Sequence, residues 1–146
     1  MAQPMSALEP VIRAIVAQLK SSTGVMALLA TTDSVFNDVR QGSLYPYVVV
    51  GSPTETRWDT WGCPGKNLTV QVRAVTNGDE DRGDKKGAQI LSACIARLHF
   101  NHTTGVTDHF LSGMAYDSGE SYTEIVSGVT VRHTIGMFRV HVTQST

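Results

Sequence analysis

A chain of 146 residues has room for one hydrophobic core, because a globular chain of this size buries roughly 68–70% of its unfolded surface, and residues 1–146 are expected to form a single domain. With 41% apolar and 17% charged residues and a formal charge of −1 at pH 7, it lacks the basic face with which dedicated nucleic-acid binders displace counterions, although a protein that merely surrounds DNA needs no such face. No basic segment precedes the first apolar stretch, which is broken by Glu9, Arg13, Gln18 and Lys20, so neither a signal peptide nor a membrane-spanning helix is expected.

Ser6 followed by Glu9 has the spacing of a capping box, and Pro10 falls within the first turn, where its missing N–H costs nothing. The spacing predicts a helix from about Ser6 to Lys20, with Leu8, Val11, Ile12, Ile15, Val16 and Leu19 forming one apolar stripe. Gly24 is expected to end that run, with one short helical turn over Val25 to Ala30 and a brief extended segment at Val35-Phe36-Asn37. Tyr47 to Gly51, bounded by Pro46 and by Ser52-Pro53, reads as a β-branched strand covered on both faces. A long loop is predicted from Ser52 to Lys66. Leu68, Val70, Val72 and Ala74 then alternate with polar residues and predict an antiparallel neighbour of the first strand.

Asp84, at the end of an acidic stretch, is a suitable cap for a second helix, whose core face reads as Ala88, Leu91, Cys94, Ile95 and Leu98. Phe110 to Tyr116 and Val129 to Val142 predict two more strands joined by a polar loop from Asp117 to Gly128. In the last strand the apolar parity changes after Met137, which predicts a bulge near Gly136. The fold class is therefore α+β, a mainly antiparallel sheet of four or five strands with two main helices packed on one face.

No segment spells an active site. Asp79, Glu80, Asp81 and Asp84 fail the EF-hand spacing, since Arg82 falls among the ligand positions and Ile90 where the bidentate glutamate belongs. His99, His102 and His109 lack paired cysteines and read as loop surface rather than a zinc site. Cys63 and Cys94 read as a reduced pair. Gly62-Cys63-Pro64-Gly65-Lys66-Asn67 lacks phosphate-loop spacing, loses one N–H donor at Pro64 and precedes a strand. An enzyme built on His133 or on the acidic stretch has no base with an evident nucleophile or metal. No catalytic residue, metal or cofactor is expected.

What remains is Trp58 and Trp61 in the loop after the first strand. Such residues either fold back over the domain's own sheet or anchor a partner, and the same two readings apply to Tyr45 and Tyr47.

A capped N-terminal helix, Val35-Phe36-Asn37, Gln41-Gly42 and Tyr45-Pro46-Tyr47-Val48-Val49-Val50-Gly51 run into Thr54-Glu55-Thr56-Arg57-Trp58-Asp59-Thr60. This pattern resembles the tail-terminator, or tail-completion, proteins of long, non-contractile-tailed phages and related gene-transfer particles. The resemblance spans nearly the whole chain; its most specific words are Tyr-Pro-Tyr-Val-Val-Val-Gly and Trp-Asp-Thr.

It implies a structural virion protein at the head–tail interface, assembled in the host cytoplasm. Its hexameric ring would cap the tail tube protein, stop its polymerisation and offer the other face to the head-completion or connector protein, while genomic DNA passes through the lumen without sequence-specific binding. Arg57, Trp58, Asp59 and Trp61 are then expected to contribute subunit or tail-tube contacts, and Ser118, Glu120 and Tyr122 an interface loop. Another ring of the head–tail connector is the alternative within the same class.

Overall fold

The computed structural model describes residues 5–38, 43–59, 61–81, 83–101 and 105–145. In chain order the elements are α1 (Leu8–Lys20), α2 (Thr23–Met26), β1 (Val35–Phe36), β2 (Tyr47–Arg57), β3 (Gly65–Asn77), α3 (Lys85–Leu98), β4 (His109–Val126) and β5 (Val129–Gln144). The strands form one sheet in the order β1-β2-β3-β5-β4. β1 runs parallel to β2 through Val35↔Val48, whereas the other pairings are antiparallel. The described residues therefore form an α+β fold with a five-stranded mixed sheet and three helices, where a mainly antiparallel sheet and two main helices were expected.

α1 follows from its apolar stripe, with Val11, Ile12, Ala14, Ile15 and Leu19 buried. Its start differs from the capping-box expectation. Glu9 pairs with Arg13 at 2.7 Å, and Glu55 of β2 accepts from the Ala7 N–H at 2.7 Å and the Ser6 hydroxyl at 3.0 Å. A carboxylate from a neighbouring strand thus meets the positive end of the helix dipole, a role that local spacing cannot reveal. Gly24 lies inside α2 rather than ending α1, and α2 is capped by Ser22, whose hydroxyl accepts from the Val25 N–H at 3.3 Å.

One core cluster joins Val11, Ile15 and Leu19 of α1 and Ile90, Cys94 and Leu98 of α3 to the sheet residues Val48, Val50, Val70, Val72, Phe138 and Val140. The sheet residues share one face, as their cross-strand partners show: Val50 lies opposite Val72, and Val70 opposite Phe138. Residues of the other parity, Val49, Val75, Val131 and Ile135, are buried as well but lie outside that cluster. Tyr47 to Val50 is in this sense covered on both sides, as its unbroken β-branched run implied.

The second helix presents a rotated face. Gly87 and Ile90 are buried with Leu91, Cys94 and Leu98, while Ala88 is exposed and Ile95 half-buried. A Cβ at position 87 would lie 2.1 Å from the Thr134 hydroxyl, so the glycine lets α3 pack close against β5. Asp84 occupies the N-cap position without a side-chain cap; its carboxylate accepts instead from Ser121 and from Arg132, each at 3.0 Å.

Three further boundaries move. The region read as a loop from Ser52 to Lys66 is mostly strand, with a register irregularity between Gly51 and Thr54, and only residues 58–64 connect β2 to β3. The region from Asp117 to Gly128 is likewise strand through Val126, closed by Ser127 and Gly128 with φ of 50° and 80°, the paired left-handed conformations of a tight hairpin. β5 has no bulge near Gly136 against β3, because its register runs unbroken from Gly65↔Thr143 to Asn77↔Val131. The irregularities fall on β4 instead, between Leu111 and Gly113 and between Tyr116 and Ser118. His133 through Gly136 are buried consecutively, and a strand covered on both faces loses the apolar alternation on which the bulge was predicted.

Candidate functional site

The connection between β2 and β3 forms a tip fastened to its own sheet. The Trp58 N–H donates to the Gly65 carbonyl at 2.8 Å, the Gly65 N–H to Asp59 Oδ1 at 3.2 Å, and the Gln144 N–H at the end of β5 to the Pro64 carbonyl at 2.8 Å. Arg57 forms an ion pair with Asp59. Desolvation opposes ionisation of Asp59, but the Gly65 N–H and the Arg57 guanidinium outweigh it and hold this carboxyl below the usual range. Arg57, Trp58 and Asp59 are thus brought together at one end of the sheet.

The two tryptophans separate. Trp58 retains 42% of its exposure and meets His141 edge-on, with ring centroids 5.2 Å apart. Trp61 is fully exposed. Of the two readings open at this tip, folding back describes Trp58, and an outward-facing aromatic describes Trp61. Tyr45 and Tyr47 pack internally: Tyr47 stacks on Tyr45 at 5.5 Å and tilts against Phe36 at 5.8 Å. Burial, with the neighbouring Tyr45, raises the Tyr47 hydroxyl above its ordinary pKa.

Ser118, Glu120 and Tyr122 lie on β4, the edge strand of the sheet, rather than in a loop. They share one face, opposite Met137, Ile135 and His133 of β5. Tyr122 stacks on His133 at 4.7 Å and 13°, and His133 Nε2 lies 2.6 Å from Glu124 Oε1. These residues do not meet the β2–β3 tip: Ser118 to Tyr122 sit opposite Met137 to His133 of β5, whereas the tip is tied to its last residue, Gln144. Sequence reading missed the apolar residues exposed on this strand, Phe110, Ile125 and Val126. The signal for two of them was the Ile-Val pair directly before the Ser-Gly turn.

The remaining candidates resolve locally. His99 is half-buried and accepts from the Tyr116 N–H through Nδ1 at 2.9 Å, and His109 is buried, its Nδ1 2.8 Å from the Thr107 carbonyl, so neither is the loop surface expected. His102 and Arg82 lie outside the described residues. Among those described, no group of three or more His, Cys, Asp or Glu could hold a metal ion, and no helix is long and apolar enough to cross a membrane. Asp79 Oδ2 accepts from the Thr130 N–H at 3.3 Å and so fastens the acidic stretch to the β4–β5 hairpin.

Both cysteines are free, Cys63 exposed on the tip and Cys94 buried on the core face of α3, where burial pushes its thiol up to about 12. An aromatic disulfide reagent at pH 8 is therefore expected to titrate Cys63 alone in the folded protein and Cys94 only in denaturant. Rapid reaction of both native thiols would contradict the burial of Cys94.

Residues 13–125 match the family model described as Tail completion protein gp17. A chain in a solved structure titled "Virion of native gene transfer agent (GTA) particle" has the same fold, with a TM-score of 0.80 and 17% identity over 94% of this chain and 98% of that one. Among curated proteins no match is found.

Proposed function

Because the chain belongs to the Tail completion protein gp17 family, whose model covers residues 13–125, we propose that it is a tail terminator, a single-domain structural virion protein. Copies assemble as a ring of six on the last ring of the tail tube protein, stop its growth and present the opposite face to the head-completion or connector protein. Genomic DNA passes through the lumen without sequence-specific binding, consistent with a net charge of −1. The ring acts by assembly geometry, with no active site, at the head–tail interface of a particle assembled in the host cytoplasm.

The family match carries this reading, and the exposed aromatic on an anchored tip supports it. A head-to-tail ring needs two different, mutually complementary patches on each subunit. The tip bearing Arg57, Trp58, Asp59 and Trp61 is the first candidate, and the β4 face bearing Ser118, Glu120 and Tyr122 is another.

Native mass measurement and negative-stain microscopy test the ring, with six-fold particles expected and a strict monomer at every concentration overturning it. Binding to purified tail tubes rather than to portal or capsid complexes separates a terminator from another connector ring. Trp58→Ala is expected to leave a folded monomer, since the indole is only partly covered, while impairing ring formation or tail joining. Assembly at the wild-type level would remove Trp58 from the contact set.

A further inference from the structure

The same chain carries an outward aromatic with no intramolecular cover and a groove beside its first helix. Trp61 projects fully exposed from a tip that backbone hydrogen bonds at Trp58 and Pro64 fix to β3 and β5. Between α1 and β1 lies a groove of about 570 Å³ whose apolar lining includes Ile12, Val16 and Phe36. That volume falls within the roughly 300–1,000 Å³ of sites that enclose small organic groups.

The two surfaces also match in charge. Among the described residues that line the groove, Arg13 is paired with Glu9, and Lys20, Asp33 and Asp38 together carry a net of one negative charge. On the tip Arg57 is paired with Asp59, which leaves Lys66, one positive charge. Trp61 cannot be the occupant of its own groove, because it is fully exposed. The carboxylate of Glu55, two positions before Arg57, holds the start of α1, so the element that carries the tip also fixes the helix that walls the groove. Tip and groove thus keep a set angle to each other, and a fixed rotation between successive copies is the condition for a closed ring rather than an irregular chain.

We propose that Trp61 of one copy docks in the α1–β1 groove of a second copy, forming the head-to-tail contact between subunits. This rests on the ring reading above and names the two patches that such a ring requires. The buried indole supplies the large apolar anchor typical of interface centres, and the charges of Lys66 and of Asp33 with Asp38 lie at its rim.

Cys63 makes the contact testable with one added thiol, since it is free and exposed two positions from Trp61 while Cys94 is buried. Asn37 lines the groove and is exposed. Treating assembled Asn37→Cys protein with a short bismaleimide is expected to give a denaturation-resistant ladder of crosslinked copies. The ladder should vanish when Cys63→Ser is added, and it should not form from Ala88→Cys on the exposed side of α3. Trp61→Ala, which removes no internal packing, is expected to raise the concentration needed for half-assembly by roughly tenfold or more, the effect of deleting an interface anchor. Rings of unchanged mass without the ladder, or wild-type assembly of Trp61→Ala, would overturn this docking and leave the ring reading standing. A strict monomer would overturn both.

Discussion

Phe138→Ala is expected to lower the free energy of unfolding by about 3–5 kcal/mol, the range for truncating a buried aromatic to alanine. The ring is wholly buried in β5, between β3 and β4, where Phe138 pairs with Val70 on one side and Tyr116 on the other. Its centroid lies 5.7 Å from that of Tyr116 in an edge-on arrangement, a geometry that adds to simple area burial. On the β3 side the backbone pairing with β5 runs unbroken past this residue, so the space left by the ring cannot close fully, and the cavity adds to the lost transfer energy. Against a typical total stability of roughly 5–15 kcal/mol the loss is a large fraction. Phe110→Ala is the internal reference: the residue is also a phenylalanine on this sheet, but it is exposed on β4, and its removal is expected to change stability by no more than about 0.5 kcal/mol. Urea unfolding monitored by circular dichroism measures both, and equal losses would contradict the placement of Phe138 in the core.

The parts of the fold legible in the sequence are those where one face of one element meets the core. The stripe from Val11 to Leu19 and the alternation from Leu68 to Ala74 are of this kind, because burial there imposes a single period on adjacent residues. Segments 52–57 and 117–126 read as loops in the sequence for the opposite reason. They are held by backbone pairing within the sheet, while most of their side chains are exposed, so polar residues satisfy a strand without leaving an apolar trace. The consecutive burial of His133 through Gly136 hides the period in another way, by covering both parities at once.

At the candidate site the same division holds. Trp58 and Trp61 stood out as large aromatics in a polar stretch, but their separation into a covered and an uncovered ring depends on His141, which β5 brings from the far end of the chain. The α1–β1 groove left no signature at all. Its walls come from residues 9–20 and 33–38, neither of which is unusual alone, and it exists only because β1 pairs alongside β2.

Gly65→Ala is expected to disturb the tip more than any exposed substitution on it. A Cβ at this position would lie 2.2 Å from the Trp58 carbonyl oxygen and 3.3 Å from the carbonyl oxygen of Val142, both backbone atoms that cannot swing aside as a flexible side chain would. The end of β3 would have to move away from β2 or β5. Movement from β2 stretches the bond from the Trp58 N–H to the Gly65 carbonyl, now 2.8 Å, and the Asp59 link to the Gly65 N–H with it. The expected cost is about 1–3 kcal/mol, the usual range for overpacking a close-packed site. Gly113→Ala supplies the contrast, since its added Cβ meets nothing within 4 Å, and stability there should be nearly unchanged. Thermal unfolding compares the two, and equal midpoints would refute the close approach at Gly65. The assembly assay then carries the argument further than stability can. Loss of the Trp58 and Asp59 ties leaves the core of α1, α3 and the sheet intact but no longer holds Trp61 in a fixed direction, so Gly65→Ala should behave at the ring as Trp61→Ala does, while its indole is still present.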